Sequence, residues 1–197
     1  MAVSQQPIGT IEPDFQFLNE IQQRSGQSVS SCYRCLKCSA GCPMAEEMDF
    51  PPDKLMRMVQ LGLKDSAIKS RAIWLCTGCV ACSDRCPNGI DVAKVIDSLK
   101  QMALQEKVTM GEPRIVAFHE SFLDTVKQYG RLHEVTMVAL LKLKTRDLMS
   151  DVGVGIKMFF KGKFPPMPQR IKGRADVAGL FRIADSDSKP AAHGGAK

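Results

Sequence analysis

All eight cysteines of the chain fall into two runs of one pattern. The first run is Cys32, Cys35, Cys38 and Cys42, followed at once by Pro43; the second is Cys76, Cys79, Cys82 and Cys86, followed by Pro87. Both read C-x2-C-x2-C-x3-C-P, the ferredoxin-type spacing for cubane iron–sulfur clusters. Three thiolates at three-residue intervals can wrap three corners of a [4Fe–4S] cube. The proline after the fourth turns the chain out of the loop, because it fixes its own φ and restricts the residue before it. In two-cluster ferredoxins that fourth cysteine ligates the other cube. The expected ligand sets are therefore Cys32, Cys35, Cys38 and Cys86 for one cluster, and Cys76, Cys79, Cys82 and Cys42 for the other.

Other uses of these cysteines fit worse. A zinc site needs four ligands, usually two C-x2–4-C pairs, and has no use for the third cysteine of each run. A disulfide framework belongs to an oxidising compartment, and residues 1–26 hold no long apolar stretch but include Pro7, Glu12, Asp14 and Glu20. Ligand thiols must stay reduced, so a cytoplasmic location is expected. The formal charge of +6 counts the cysteines as neutral. Two oxidised cubes with thiolate ligands, each about −2, would bring it to roughly +2, so the basicity is a weak argument for nucleic acid.

The segments between the runs read as helices. Positions 14–24 form a short helix with Phe15, Leu18 and Ile21 on one face. Pro51-Pro52-Asp53 opens a second, with Leu55, Met58, Val59 and Leu63 at helical spacing. A helix over 66–73 delivers Trp74 to the second run. Asp91 reads as an N-cap for a stripe of Val92, Val95, Ile96, Leu99, Met102 and Ala103. Pro113 opens another helix with Ile115, Phe118, Phe122 and Val126 aligned, and 135–143 reads as a buried helix. One more is expected from about 147, carrying Leu148, Val152, Ile156 and Phe159. Strand-like runs are scarce, no stretch is long enough to span a membrane, and the loops repeat at an interval of 44 residues, Cys32 to Cys76. The expected class is all-α. The expected organisation is an N-terminal helix and linker (1–27), a two-cluster domain (28–106), a helical extension (107–163), and an extended docking segment with a disordered tail (164–197).

Both runs, set among helices, resemble the α-helical ferredoxin domain, and the stretch from Gly155 to Lys163 with its proline-rich sequel adds a more family-like feature. The nearest likeness is the HdrC family, the iron–sulfur subunits of heterodisulfide reductase and their bacterial homologues, over about residues 10–180. That resemblance implies two [4Fe–4S] clusters on the eight cysteines. It also implies a non-catalytic relay that takes electrons from a flavin-containing HdrA-like protein and passes them to a disulfide-reducing HdrB-like protein, without membrane association. The chain lacks the Cys-Cys-Gly motifs of the HdrB type. The alternatives are the iron–sulfur subunit of a quinone-linked or acyl-CoA reductase complex, or a non-redox scaffold braced by clusters.

Several other residues are candidates for tuning or docking. Gly41 and Gly78 are candidates for close backbone approach to the cubes, against plain turn roles, and Trp74 is a candidate shield, against a plain core role. Arg34, Lys37 and Arg85 lie inside the runs, where they would raise a potential or meet a partner. His119, His133 and His193 fall at no ligand spacing. From Lys142 to Arg174 nine basic residues face two acids, which suits an acidic docking partner; an interfacial membrane helix around 155–164 is the lesser reading.

Overall fold

A computed structural model describes residues 14–109, 111–147, 150, 153, 157–158, 160–162 and 171–187. Among them there is no strand, and the fold is all-α. The chain divides into two units, Met1–Pro113 and Arg114–Lys197.

The first unit opens with α1 (Phe15–Ser25), whose N-cap Asp14 accepts hydrogen bonds from the Gln16 and Phe17 N–H groups at 2.9 and 3.2 Å. This cap sets the helix phase so that Phe17 and Ile21 are buried, while Phe15 is 65% exposed; the core aromatic is Phe17, not the expected Phe15. A 3-10 turn (Val29–Ser31) leads to the first cysteine loop, which ends in the short α2 (Lys37–Ala40). Pro51 and Pro52 then start α3 (Pro52–Gln60), with Leu55, Met56 and Val59 buried.

The single helix expected over 66–73 is two, α4 (Lys64–Ile68) and α5 (Arg71–Leu75). Ser70 caps α5, and Asp49 holds the break. The Asp49 carboxylate accepts from Ser70 Oγ (2.8 Å), Arg71 N–H (2.9 Å) and Ala72 N–H (2.8 Å). Burial works against ionising Asp49, but these bonds and one from the Phe50 N–H outweigh it and hold the carboxyl below its usual range.

The second loop ends in α6 (Ala81–Asp84), followed by α7 (Val92–Gln105). As expected, Asp91 caps α7, accepting from the Lys94 N–H at 3.2 Å, and the whole stripe Val92, Val95, Ile96, Leu99, Met102 and Ala103 is buried. Helix α7 is the centre of the unit, packing against α1, α3, α4, α5 and α6, and α2 packs against α6. Burying a large aliphatic side chain stabilises by about 1.5–3 kcal/mol, so this stripe dominates the core. At Gly62, φ is +68° and an added Cβ would sit 2.2 Å from the Asp14 nitrogen. Only glycine lets the α3–α4 turn meet the start of α1.

In the second unit, α8 (Pro113–Tyr129) and α9 (Glu134–Thr145) are joined at Lys144, whose Nζ reaches Glu120 and Asp124 at 3.0 Å each. Two expectations are corrected here. The buried face of α8 is Val116, Ser121 and Thr125, and Phe118 and Phe122 are exposed. Ser121 and Thr125 escape an apolar pattern because their hydroxyls donate to the backbone carbonyls of Ala117 and Phe122. Helix α9 buries no residue; it is apolar on most sides, yet Val135, Val138 and Leu143 face outward.

Residues 174–187, expected to be extended or disordered, form α10 (Arg174–Asp187). The proline run before them ends at Pro168, and Ala175, Val177, Ala178, Leu180 and Phe181 follow at helical spacing. The helix expected near 147 has Leu148, Val152, Ile156 and Phe159 outside the described residues, as are most of 155–164, the proline run, the tail from 188 and His193. Among the described residues no helix is long and apolar enough to cross a membrane.

Candidate functional site

The two cysteine loops share one backbone conformation. In each, the residue before the second cysteine and the residue after it both take positive φ: Arg34 (58°) and Leu36 (65°) in the first, Gly78 (67°) and Val80 (63°) in the second. For leucine, arginine and above all β-branched valine this region is strained. Strain repeated at matching positions marks a geometry that the loop must hold. Neither the N–H groups from Tyr33 to Leu36 nor those from Thr77 to Val80 find a backbone acceptor among the described residues. Such curled N–H groups suit an anionic cluster with sulfide acceptors.

The following helices brace the loops in the same way. Ser39 Oγ accepts from the Asp53 N–H at 2.9 Å, at the start of α3; Ser83 Oγ accepts from the Ala93 N–H at 3.1 Å, at the start of α7. Seven residues on, Gln60 Nε2 donates to the Cys32 carbonyl at 2.8 Å, and Lys100 Nζ donates to the Cys76 carbonyl at 3.2 Å. Two ties join the halves: Gln27 Oε1 accepts from the Asp91 N–H at 2.8 Å, and Asn88 Nδ2 donates to the Ser31 carbonyl.

Each loop borders a cavity. One is lined by Cys32, Cys35 and Cys38 of the first run and by Cys86 of the second, with Asp53, Met56, Ile90 and Val92 among its walls. The other is lined by Cys76, Cys79 and Cys82 and by Cys42, with Met48, Pro52, Ala93 and Ile96. Apart from the Asp53 carboxylate, Arg34 and Thr77, the side chains of the walls are sulfur and hydrocarbon, and soft donors select iron–sulfur clusters. Among the described residues no group of His, Cys, Asp or Glu is drawn together as a single metal ion would require. Four thiols spread around a cavity instead suit a polynuclear cluster, so the residues present fit a cube.

Burial pushes the Cys82 thiol up to about 11, although Ser83 opposes it; Cys38, its counterpart, is raised by burial against Ser39. Buried thiols of this kind become thiolates when a metal supplies the compensating charge. Cys35 and Cys79 are exposed, and Tyr33, Leu36 and Val80 beside them are 62, 51 and 42% exposed. Each cavity therefore has one wall at the surface.

The other sequence candidates resolve differently. Gly41 lies under the Arg85 side chain: an added Cβ would lie 2.5 Å from Arg85 Cδ, a contact that the flexible arginine can relieve by moving. Gly78 has open space around it and serves its positive φ. Trp74 is 4% exposed and is absent from both cavity walls; its indole N–H has no partner among the described residues. Arg34 lies 3.5 Å from Asp53, and Lys37 and Arg85 line an open surface hollow with Ala40. His133 caps α9 through Thr136, while His119 is exposed. Sequence reasoning missed Ser39, Asp53, Ser83 and Lys100; the recurrence of serine after each third cysteine was the available signal.

Residues 28–90 match the 4Fe-4S dicluster domain family. Fold, loops and cavities thus define an all-α protein that carries two [4Fe–4S] clusters. Over 113 residues it is 32% identical to the HdrC-type iron–sulfur subunit of the CoB–CoM heterodisulfide reductase of Methanopyrus kandleri, covering 54% of this chain and 59% of that protein. It is 33% identical over 105 residues to the corresponding subunit of the H2/formate:CoB-CoM heterodisulfide,ferredoxin reductase of Methanococcus maripaludis (49 and 56%). It is 31% identical over 83 residues to that of the H2:CoB-CoM heterodisulfide,ferredoxin reductase of Methanothermobacter thermautotrophicus (42 and 45%). The chain is like the HdrC subunits of the heterodisulfide reductases. It spans about half the length of the curated relatives it matches, a shorter match than the 10–180 span read from the sequence.

Proposed function

We propose that this chain is the electron-relay subunit of a heterodisulfide-reductase-like complex. Cys32, Cys35, Cys38 and Cys86 hold one cube, and Cys76, Cys79, Cys82 and Cys42 hold the other. The observation that carries this reading is the composition of the two cavity walls, each with three cysteines from one run and the fourth from the other. When bound, each cube takes up or releases one electron without making or breaking a bond in the chain. The protein's part is to hold eight thiolates in place, offer N–H groups to sulfur, and keep water from the inner walls through Met48, Met56, Ile90 and Ile96. Electrons enter and leave where Cys35 and Cys79 reach the surface. The donor is a flavin-containing HdrA-like protein, and the acceptor is an HdrB-like protein that reduces a disulfide. The exposed apolar side chains of α9 and of the loops support a life in a complex. Eight ligand thiols also suit the reducing cytoplasm.

The test is native purification under anaerobic conditions, with iron analysis, redox titration and identification of partners. The expected result is about eight irons per chain, two reversibly reducible clusters, and flavin-containing and disulfide-reducing proteins in the complex. Clusters that cannot be reduced would sink the relay. Co-purification with a quinone-linked or acyl-CoA reductase would reassign the complex while leaving the relay intact.

A further inference from the structure

The two half-sites match wall for wall: Met56 answers to Ile96, Pro52 to Val92, and Met48 to Ile90. They part company in charge. Asp53 lines the first cavity, is 6% exposed and accepts a 2.5 Å hydrogen bond from Ser39 Oγ. Its counterpart, bonded to Ser83 through the same backbone N–H, is the neutral Ala93; the Ser83 hydroxyl donates instead to Asp91 at 2.6 Å, a carboxylate that is not part of the cavity wall. The bracing residue is inverted in the opposite sense. Neutral Gln60 donates to the carbonyl of Cys32, but cationic Lys100 donates to that of Cys76. One cavity wall therefore carries a buried carboxylate where the other has Ala93, and the second loop is braced by a half-buried ammonium where the first has the neutral Gln60.

We infer that Asp53 and Lys100 make the two clusters inequivalent: the Cys32–Cys35–Cys38–Cys86 centre has the lower reduction potential and the Cys76–Cys79–Cys82–Cys42 centre the higher. The inference rests on the ligand sets proposed above. Reduction adds one negative charge to a centre; a buried carboxylate opposes that charge, and a nearby ammonium favours it.

The compensating charges are weaker because water screens them. The Arg34 side chain, 3.5 Å from Asp53, is 45% exposed against 8% for Asp53. Lys37 is exposed. On the second side Asp91 is 28% exposed and lies 3.6 Å from Lys94, and Asp97 is exposed. An electron delivered to the pair therefore comes to rest on the second side, which gives the relay a built-in direction.

The experiment is an anaerobic EPR-monitored redox titration of the full chain loaded with both clusters. Cys35→Ser and Cys79→Ser, which replace one ligand each, tell which signal belongs to which run. Asp53→Asn should raise the lower midpoint by about tenfold in reduction equilibrium, or about 59 mV for one electron, and leave the upper midpoint in place. Asp53→Glu, which restores the charge, should bring it back down. Lys100→Gln should lower the upper midpoint, as should Ala93→Asp.

A purely structural role for Asp53 would change iron content or melting temperature and leave the midpoint of the loaded protein unmoved; that result overturns the inference. So does a shift confined to the upper midpoint, or assignment of the lower one to the second run. If Asp53→Asn cannot be loaded, Lys100→Gln and Ala93→Asp decide: no downward shift in either is a refutation. A wild-type chain without two reducible centres refutes the proposed function instead, before any variant is read.

Discussion

From Cys32 to Gln60 and from Cys76 to Lys100 the same structural steps recur, apart from a longer link between the fourth cysteine and the helix in the first half. Two left-handed residues flank a cysteine, a four-residue helix carries the third cysteine, a serine reaches the start of a long helix, and that helix sends a side chain back to the first cysteine's carbonyl. What recurs is what holding a cube demands. What varies is side-chain charge: Arg34 against Gly78, Asp53 against Ala93, Gln60 against Lys100. A duplicated scaffold can keep its geometry while its two electrostatic environments diverge.

The strongest way to break the comparison is to replace the two cysteines proposed to cross between the runs. Cys42→Ser should damage the cluster of the second run and Cys86→Ser that of the first, each taking iron from about eight toward about four per chain. Iron analysis with EPR would read this, and damage to the run that contains the mutated residue would refute the crossing. Next in size are the facing walls. Met56→Ala and Ile96→Ala should each cost about 2–5 kcal/mol in chemical denaturation, since both are essentially fully buried; a large disparity would mean that only one wall is part of the common core.

The serine braces sharpen the comparison at lower cost. Ser39→Ala should destabilise by about 1–3 kcal/mol, and by more than Ser83→Ala, because it strips a partner from the buried Asp53, whereas Asp91 keeps the Lys94 N–H. Gly78→Ala should cost about 1 kcal/mol for its positive φ, while Arg34→Gly should relieve strain and forfeit the pairing with Asp53, for a smaller net change by thermal melting.

The smallest effect is in acid. The Asp49 carboxyl is held below its usual range, so its contribution is full above the ordinary carboxylate pKa of about 3.9 and is lost as pH falls through the lower folded value. The melting-temperature gap between wild type and Asp49→Asn should therefore be constant near pH 6 and shrink below about pH 4. A gap that persists in acid would show that Asp49 acts through shape and not charge.

The cysteine spacing and the α7 stripe were legible because both are local: ligand intervals and a 3.6-residue period read directly from the chain. The matching of the two halves was not. The loops repeat at 44 residues, but Asp53 answers to Ala93 at 40, because the link from Cys42 to α3 is four residues longer than that from Cys86 to α7. A simple self-comparison slips at that point, and the serine, aspartate and lysine braces fall out of register. The break at Ser70 was hidden because Asp49, twenty-one residues upstream, enforces it. The exposure of α9 was hidden for another reason. Periodicity reports which faces are apolar, and says nothing about whether anything in the same chain covers them.

The crossing of the two runs has a bearing on synthesis. A wall that includes Cys86 cannot close around anything while only the first run has emerged from the ribosome. Iron delivered to a nascent chain at that stage would meet three thiols and an open side. On the ligand sets proposed above, loading belongs after Cys86 has emerged, and a chain arrested between the two runs would be left with three thiols around an open-sided pocket.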